Sequence, residues 1–172
     1  YVFHRFRQRL IADWDQVGLP GLSGRINNAP LDGMDTAFRG PGAAITLQHL
    51  AGDVLALRVR AANLVLRADL DLVTAPPVMV AVGPVEGGAM HSTHKTSAVS
   101  VRGEVDVDGL RWDLADAHAC LDSSNGLLAR ETAWRWASAH RPGLGFNLQQ
   151  GYFGNMENTL WLDGELIPLG AA

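Results

Sequence analysis

The stretch ADAHACLDSSNGLLARETAWRWAS, running from Ala115 to Ser138, decides how this chain folds. Two alternating segments flank a predicted turn, Asp122-Ser-Ser-Asn-Gly126, and the second segment carries Trp134 and Trp136 with a single residue between them. Successive side chains on a strand point to opposite faces, so Trp134 and Trp136 share a face with Thr132 and Ser138, while Arg135 takes the other. On the first segment Asp116, His118 and Cys120 share a face, opposite Ala115, Ala117, Ala119 and Leu121. A carboxylate and an imidazole two residues apart therefore point the same way.

The same rhythm extends outward in both directions. Toward the N-terminus it recurs in Ala43 to Leu50, Asp53 to Ala61 and Asn63 to Val73. In the last of these, Leu64, Leu66, Ala68, Leu70 and Leu72 oppose Val65, Arg67, Asp69 and Asp71, a period of two that marks a half-buried antiparallel strand. The breaks at Ala51-Gly52 and Ala61-Ala62-Asn63 are short enough for hairpins. Pro77 to Gly83 is a brief apolar run, and Gly83 to Gly88 is a flexible loop. SAVSVRGEVDVDG and LRWDLADAHACLD meet at Asp108-Gly109, a strong hairpin signal. Toward the C-terminus follow ETAWRWASA, GFNLQQGYF, NTLWLDG and ELIPLG, with a turn at Asp163-Gly164. Strands spaced by about 8 to 12 residues are those of sandwiches and barrels. The fold class expected is all-β, an antiparallel meander curled into a barrel or half-barrel.

The first part of the chain lacks this pattern. Tyr1 to Gly18 mixes apolar and basic residues without a clean period, and Gly18 to Gly42 is rich in Gly, Pro, Asn and Asp, which is turn chemistry. Residues 1–42 are thus expected to form an irregular N-terminal segment or linker, and residues 43–172 the β domain.

Composition bounds the function. With 47% hydrophobic and 19% charged residues, the 172-residue chain is an ordinary globular protein. A net charge of -4 and the lack of any basic run argue against a nucleic-acid partner. Cys120, alone of its kind, excludes an internal disulfide and fits a reducing compartment, making the cytoplasm the default location. No apolar run approaches the ~20 residues of a membrane helix. No cofactor fingerprint, phosphate loop, Cys-x-x-Cys pair, G-x-S-x-G elbow or Ser-His-Asp order is visible, so no cofactor is expected.

Several residues could carry chemistry. His91 and His94 are spaced unlike the helical zinc motif and have no evident third ligand, so no metal is expected. His94 and Lys95, read as a loop pair before a strand, could line the mouth of a cavity; solvated loop residues are an equal reading. Asp116, His118, Asp122 and Glu157 are the candidate acids and bases, because a carboxylate beside an imidazole fixes its tautomer and lets it exchange protons near neutral pH. The alternative is a solvent-facing polar stripe, with Asp122 merely starting a turn. Trp134 and Trp136, with Phe146, Tyr152, Phe153 and Trp161, are either core or the wall of an apolar cavity, where Asn147, Gln149 and Asn158 would orient a ligand.

HKTSAVSVRGEV (His94 to Val105), LDSSNG (Leu121 to Gly126), TAWRWASA (Thr132 to Ala139), LGFNLQQGY (Leu144 to Tyr152) and ENTLWLDGELIPL (Glu157 to Leu169) occur in this order. Together they resemble a lipocalin-like family of unknown function, domain of unknown function 2804, over roughly Ala62 to Leu169. That family shows a His-Lys before a strand, an Asp-Trp-Gly-Arg-Gly turn, a W-x-W strand, a G-F-N-L strand and a Glu-Asn before an aromatic strand. Ser123, Ser124 and Asn125 stand here where the family has Trp, Gly and Arg. The resemblance implies a calycin-type architecture, distantly similar to carotenoid hydratases of the hydroxyneurosporene synthase group. It also implies part of a longer protein with a second lipocalin-like domain, or a homodimer.

These readings converge on binding of an apolar small molecule in a β-barrel cavity. The alternatives are an acid-catalysed hydratase or isomerase of an unsaturated terpenoid- or polyketide-like substrate, with the tryptophans stabilising a developing cation, and a purely structural half-domain.

Overall fold

The structure, a computed structural model, describes residues 2–6, 9–13, 23–25 and 35–170, with side chains from residue 36 onward. Every described element is a β-strand, every pairing is antiparallel, and no described residue is helical. Among the described residues no helix is long and apolar enough to cross a membrane. Much of the expected loop from Gly18 to Gly42 lies outside the described residues. Within residues 1–42 the strands are β1 (Val2–Phe6), β2 (Arg9–Asp13), β3 (Ser23–Arg25) and β4 (Asp35–Gly40).

The chain divides into two compact units, Tyr1–Leu70 with Val101–Asp116, and Asp71–Ser100 with Ala117–Ala172. In the first unit β3 and β4 lead into β5 (Ala43–Leu50), β6 (Val54–Arg60) and β7 (Leu64–Asp71), each pairing with the next. The chain then leaves through β8 (Met79–Gly83) and β9 (Met90–Lys95), and returns in β10 (Val99–Val107) and β11 (Leu110–Asp113). Leu55, Leu64, Ala68, Leu70 and Val107 are buried, as the alternation predicts. Asp108 and Gly109, with φ of 53° and 77°, make the β10–β11 hairpin in the mirror-image turn that suits the right-handed twist of the strands.

The second unit contains two sheets. One has the order β13-β9-β8, where β13 is Asp122–Leu127. The other is a meander of β14 (Trp134–Arg141), β15 (Leu144–Gly151), β16 (Thr159–Leu162) and β17 (Glu165–Pro168). A two-residue β12 (His118–Ala119) pairs with Val99 and Ser100. The sheets do not close into a barrel. β13 and β14, consecutive in the chain, are terminal strands of separate sheets. A core of Met79, Ala81, Val85, Phe153 and Trp161 packs in this unit, and the indole N–H of Trp161 donates to the Pro77 carbonyl at 2.7 Å.

The structure corrects the local reading of the central stretch. Asp122 to Gly126 is not a turn: it pairs residue by residue with His91 to Lys95, and the strand runs on to Leu127. The turn-forming composition misled because serine, asparagine and glycine here serve a polar strand. Gly126, at φ 149°, has backbone so close that an added β-carbon would sit 2.1 Å from the Met90 carbonyl oxygen. Ala115 to Leu121 is likewise not one strand, since residues 115 and 116 form a turn. His94 and Lys95 lie inside β9 rather than in a loop before it.

Candidate functional site

β9 has an inward face without a single apolar side chain. His91, Thr93 and Lys95 alternate along it, with exposures of 5%, 0% and 7%. Ser92 and His94 take the opposite face, so His91 and His94 point apart. In register, Lys95 stands across from Asp122 on β13 and from Met79 on β8. The Lys95 ammonium meets the Asp122 carboxylate at 2.5 Å, and its Nζ lies 5.6 Å from the centre of the Trp136 ring, within the reach of a cation–π contact.

Glu157 enters this space from the turn between β15 and β16. It is 6% exposed, and its two carboxylate oxygens divide between Lys95 Nζ (3.4 Å) and His91 Nε2 (3.2 Å). Asp122, Lys95, Glu157 and His91 thus form a chain of charged and titratable groups from the half-exposed Asp122 into the interior of the unit. The His91 ring is packed edge-to-face on Phe153 at 4.6 Å and near Tyr152 at 5.6 Å. Buried ions are tolerated when paired, because the attraction in a low dielectric offsets much of the desolvation cost.

A neutral ladder supports the ionic one. Trp136 Nε1 donates to Asn147 Oδ1 at 2.7 Å, and Asn147 Nδ2 donates to the Glu157 carbonyl at 2.9 Å. Asn147 is buried and so fixes both the indole and the Glu157 backbone. Two hollows adjoin Trp136. A cavity of about 30 Å³ is walled by Lys95, Asp122, Trp136, Ser138, His140 and Trp161, and an open groove of about 410 Å³ by Trp136, Leu148, Gln149, Gln150, Asn155 and Asn158, among others.

Of the residues singled out in the sequence, the structure brings together Lys95, Asp122, Glu157, Trp136 and Asn147. Gln149 is buried opposite Trp136 in the β14–β15 register. Asn158 accepts the Gln149 N–H at 2.6 Å and so braces the turn. Trp134 is 56% exposed and leans on Tyr152 at 6.1 Å, whereas Trp136 is 52% exposed with its N–H anchored inward. Asp116 and His118 do not join the cluster. Asp116 is exposed in a turn of the first unit, and His118 is exposed on β12, so their expected common face does not form. His94 points away from Lys95. His91 was weighed only as a metal partner of His94 and Thr93 was missed, because the one apolar residue of MHSTHK, Met90, is exposed and points to the wrong face.

Next to the ionic chain lies a second polar group. The imidazole of His140 is held between Ser97 Oγ at Nδ1 (3.0 Å) and Ser138 Oγ at Nε2 (2.6 Å). Burial pushes the His140 pKa down, so the ring is neutral near pH 7. The unfolded chain takes up a proton at about pH 6.5 while the folded His140 resists, so this contribution is complete above that pH and is lost as pH falls through the folded value. Urea unfolding should show stability rising with pH across that window, and His140→Gln should flatten the rise; an unchanged slope would contradict it. The Cys120 thiol is pushed up, first by burial and then by the Asp122 carboxylate, and so is a weak nucleophile at neutral pH.

The family model described as a domain of unknown function (DUF2804) matches residues 2–172. The chain belongs to that family. The DUF2804 match includes the N-terminal residues, where the sequence motifs contributed little. No curated protein matches the chain, and no solved structure does.

Proposed function

We propose that the second unit of this DUF2804 chain binds a small molecule with an apolar, unsaturated body and a polar head. The body would lie against the exposed face of Trp136, and the head would meet the cavity where Lys95 and Asp122 stand. The observation that carries the reading is the buried Lys95–Glu157–His91 chain, which reaches the half-exposed Asp122 at a cavity walled by Trp136. A packing role alone would be served as well or better by apolar side chains, since replacing buried ion pairs with hydrophobic residues is often neutral or stabilising. Convergent polar groups beside a hollow are what a small-molecule site requires. Further support comes from His91 Nδ1, Gln149 Oε1 and the Tyr152 hydroxyl, which are buried without a hydrogen-bond partner among the described residues. This reading replaces an enclosed barrel lumen with a cavity between Asp122 of β13 and Trp136 of β14. It keeps the lipocalin-like theme of an apolar ligand held by strands.

Titration with anilinonaphthalene sulfonate tests it. The fluorophore should bind against Trp136, and Trp136→Ala should weaken its binding about tenfold, equivalent to about 1.4 kcal/mol. Unchanged affinity in a folded variant would remove the tryptophan from the site.

A second reading, acid-catalysed hydration or isomerisation of a terpenoid- or polyketide-like alkene, draws on the buried His91–Glu157 contact at 3.2 Å. Asp122 is taken up by its contact with Lys95 at 2.5 Å, so the proton would come from the His91–Glu157 pair. Turnover that survives Glu157→Gln would exclude that route.

A further inference from the structure

We propose that Ser138 is an acyl-accepting nucleophile, with His140 as its general base and Ser97 as the residue that positions the imidazole, acting on small carboxylic esters. Ser138 Oγ and His140 Nε2 are 2.6 Å apart, a short hydroxyl–imidazole contact in the geometry that nucleophile activation requires. Both residues face the cavity that Lys95 and Trp136 also wall. On the far side of the ring, Ser97 is 1% exposed and meets Nδ1 at 3.0 Å. With the proton on Nδ1, the ring donates to Ser97 and leaves Nε2 free to accept from Ser138. Ser97 thus fills the place that a carboxylate takes in the familiar triads, holding the tautomer without adding charge.

The chain makes room for this arrangement. Gly145 stands opposite His140 in the β14–β15 register, and a β-carbon there would lie 2.0 Å from Ser97 Oγ and 3.0 Å from His140 Nδ1. Only a glycine lets Ser97 reach the ring. A serine and a histidine two residues apart on a strand are commonplace; a buried second serine seated in the hollow of a glycine is a built feature. Burial keeps the imidazole neutral near pH 7, the form a base needs.

The step balances. Ser138 Oγ attacks the ester carbonyl carbon as its proton passes to His140 Nε2, and the carbonyl π pair moves onto oxygen in the cavity lined by the Lys95 ammonium. Collapse of the tetrahedral species expels the alkoxide, which takes the proton from Nε2 and leaves as the alcohol. Water then repeats the sequence on the acyl-Ser138 ester and releases the carboxylic acid. The cavity itself is small, but the Trp136 ring that walls it is 52% exposed, so displacement of that ring opens the cavity.

This proposal does not require the ligand proposed above. It is tested on the full chain with an alkyl fluorophosphonate, followed by peptide mass spectrometry. Ser138 should be labelled; Ser138→Ala should abolish the label, and His140→Gln should slow it about a hundredfold. Trp136→Ala should lose fluorophore binding yet label faster, which separates the two readings. Ser97→Ala should shift the pH at which labelling is half-maximal, against a constant background of Lys95, Asp122 and Cys120 around the cavity and Trp161 beside the ring; a mere filler would leave that midpoint in place. Absence of label at Ser138 in both the native chain and folded Trp136→Ala, or equal labelling in folded His140→Gln, overturns the assignment.

Discussion

Glu157→Ala is expected to lower the free energy of unfolding by about 3–5 kcal/mol, the usual cost of deleting one partner of a buried ion pair. The size follows from what is left behind. Lys95 and Glu157 have side-chain exposures of 8% and 7%, so water cannot replace the lost carboxylate without opening the unit. His91 Nε2 also loses its partner, and its Nδ1 has none among the described residues. Asp122→Ala offers the contrast. Its contact with Lys95 is shorter, yet its side chain is 43% exposed, so solvent can take over and the loss should stay near about 1 kcal/mol. Urea unfolding followed by circular dichroism would rank the two. If Asp122→Ala proves the more damaging, burial is not what sets these energies.

The β class was legible because most strands alternate apolar and polar residues, as Leu64 to Asp71 does, and because Asp108-Gly109 and Asp163-Gly164 can make mirror-image turns at little steric cost. What stayed hidden was the polarity inversion in the second unit. Period-two reasoning assigns polar residues to solvent, and β9 puts His91, Thr93 and Lys95 toward the interior instead. Thr93 and Ser124 hydrogen-bond across the two strands at 3.3 Å, a pairing that a turn-like composition conceals. The same inversion explains why Asp116 and His118 looked like the better site. They alternate with alanines, as a half-buried strand should, but a turn at residues 115 and 116 breaks that strand and leaves both exposed. Lys95, Asp122, Trp136, Asn147 and Glu157 were visible as chemistry-bearing residues, but their convergence depends on register and on the turn carrying Glu157, which no local pattern encodes. The Ser97–His140–Ser138 contact was invisible for a related reason: Ser97 is 43 residues from His140 in sequence.

Lys95→Met should destabilise the chain by about 3–5 kcal/mol, and adding Glu157→Gln should recover part of that loss. Methionine keeps the length and apolar stem of lysine, so little packing changes; the cost arises because Glu157 is left as a buried anion with only His91 beside it. Glutamine removes that charge while keeping an acceptor for His91. The double variant should therefore be more stable than the sum of the single effects, by up to about 3 kcal/mol of coupling for groups in direct contact. Additivity within about 0.5 kcal/mol would mean that the charges do not act as one unit. The same double variant separates architecture from recognition. It removes the cation whose Nζ lies 5.6 Å from the Trp136 ring centre but keeps the aromatic wall and the Asn147 anchor. A folded double variant that still binds the neutral part of a ligand but no longer its polar head places the head at Lys95. One that binds every ligand unchanged makes the ionic chain a scaffold only.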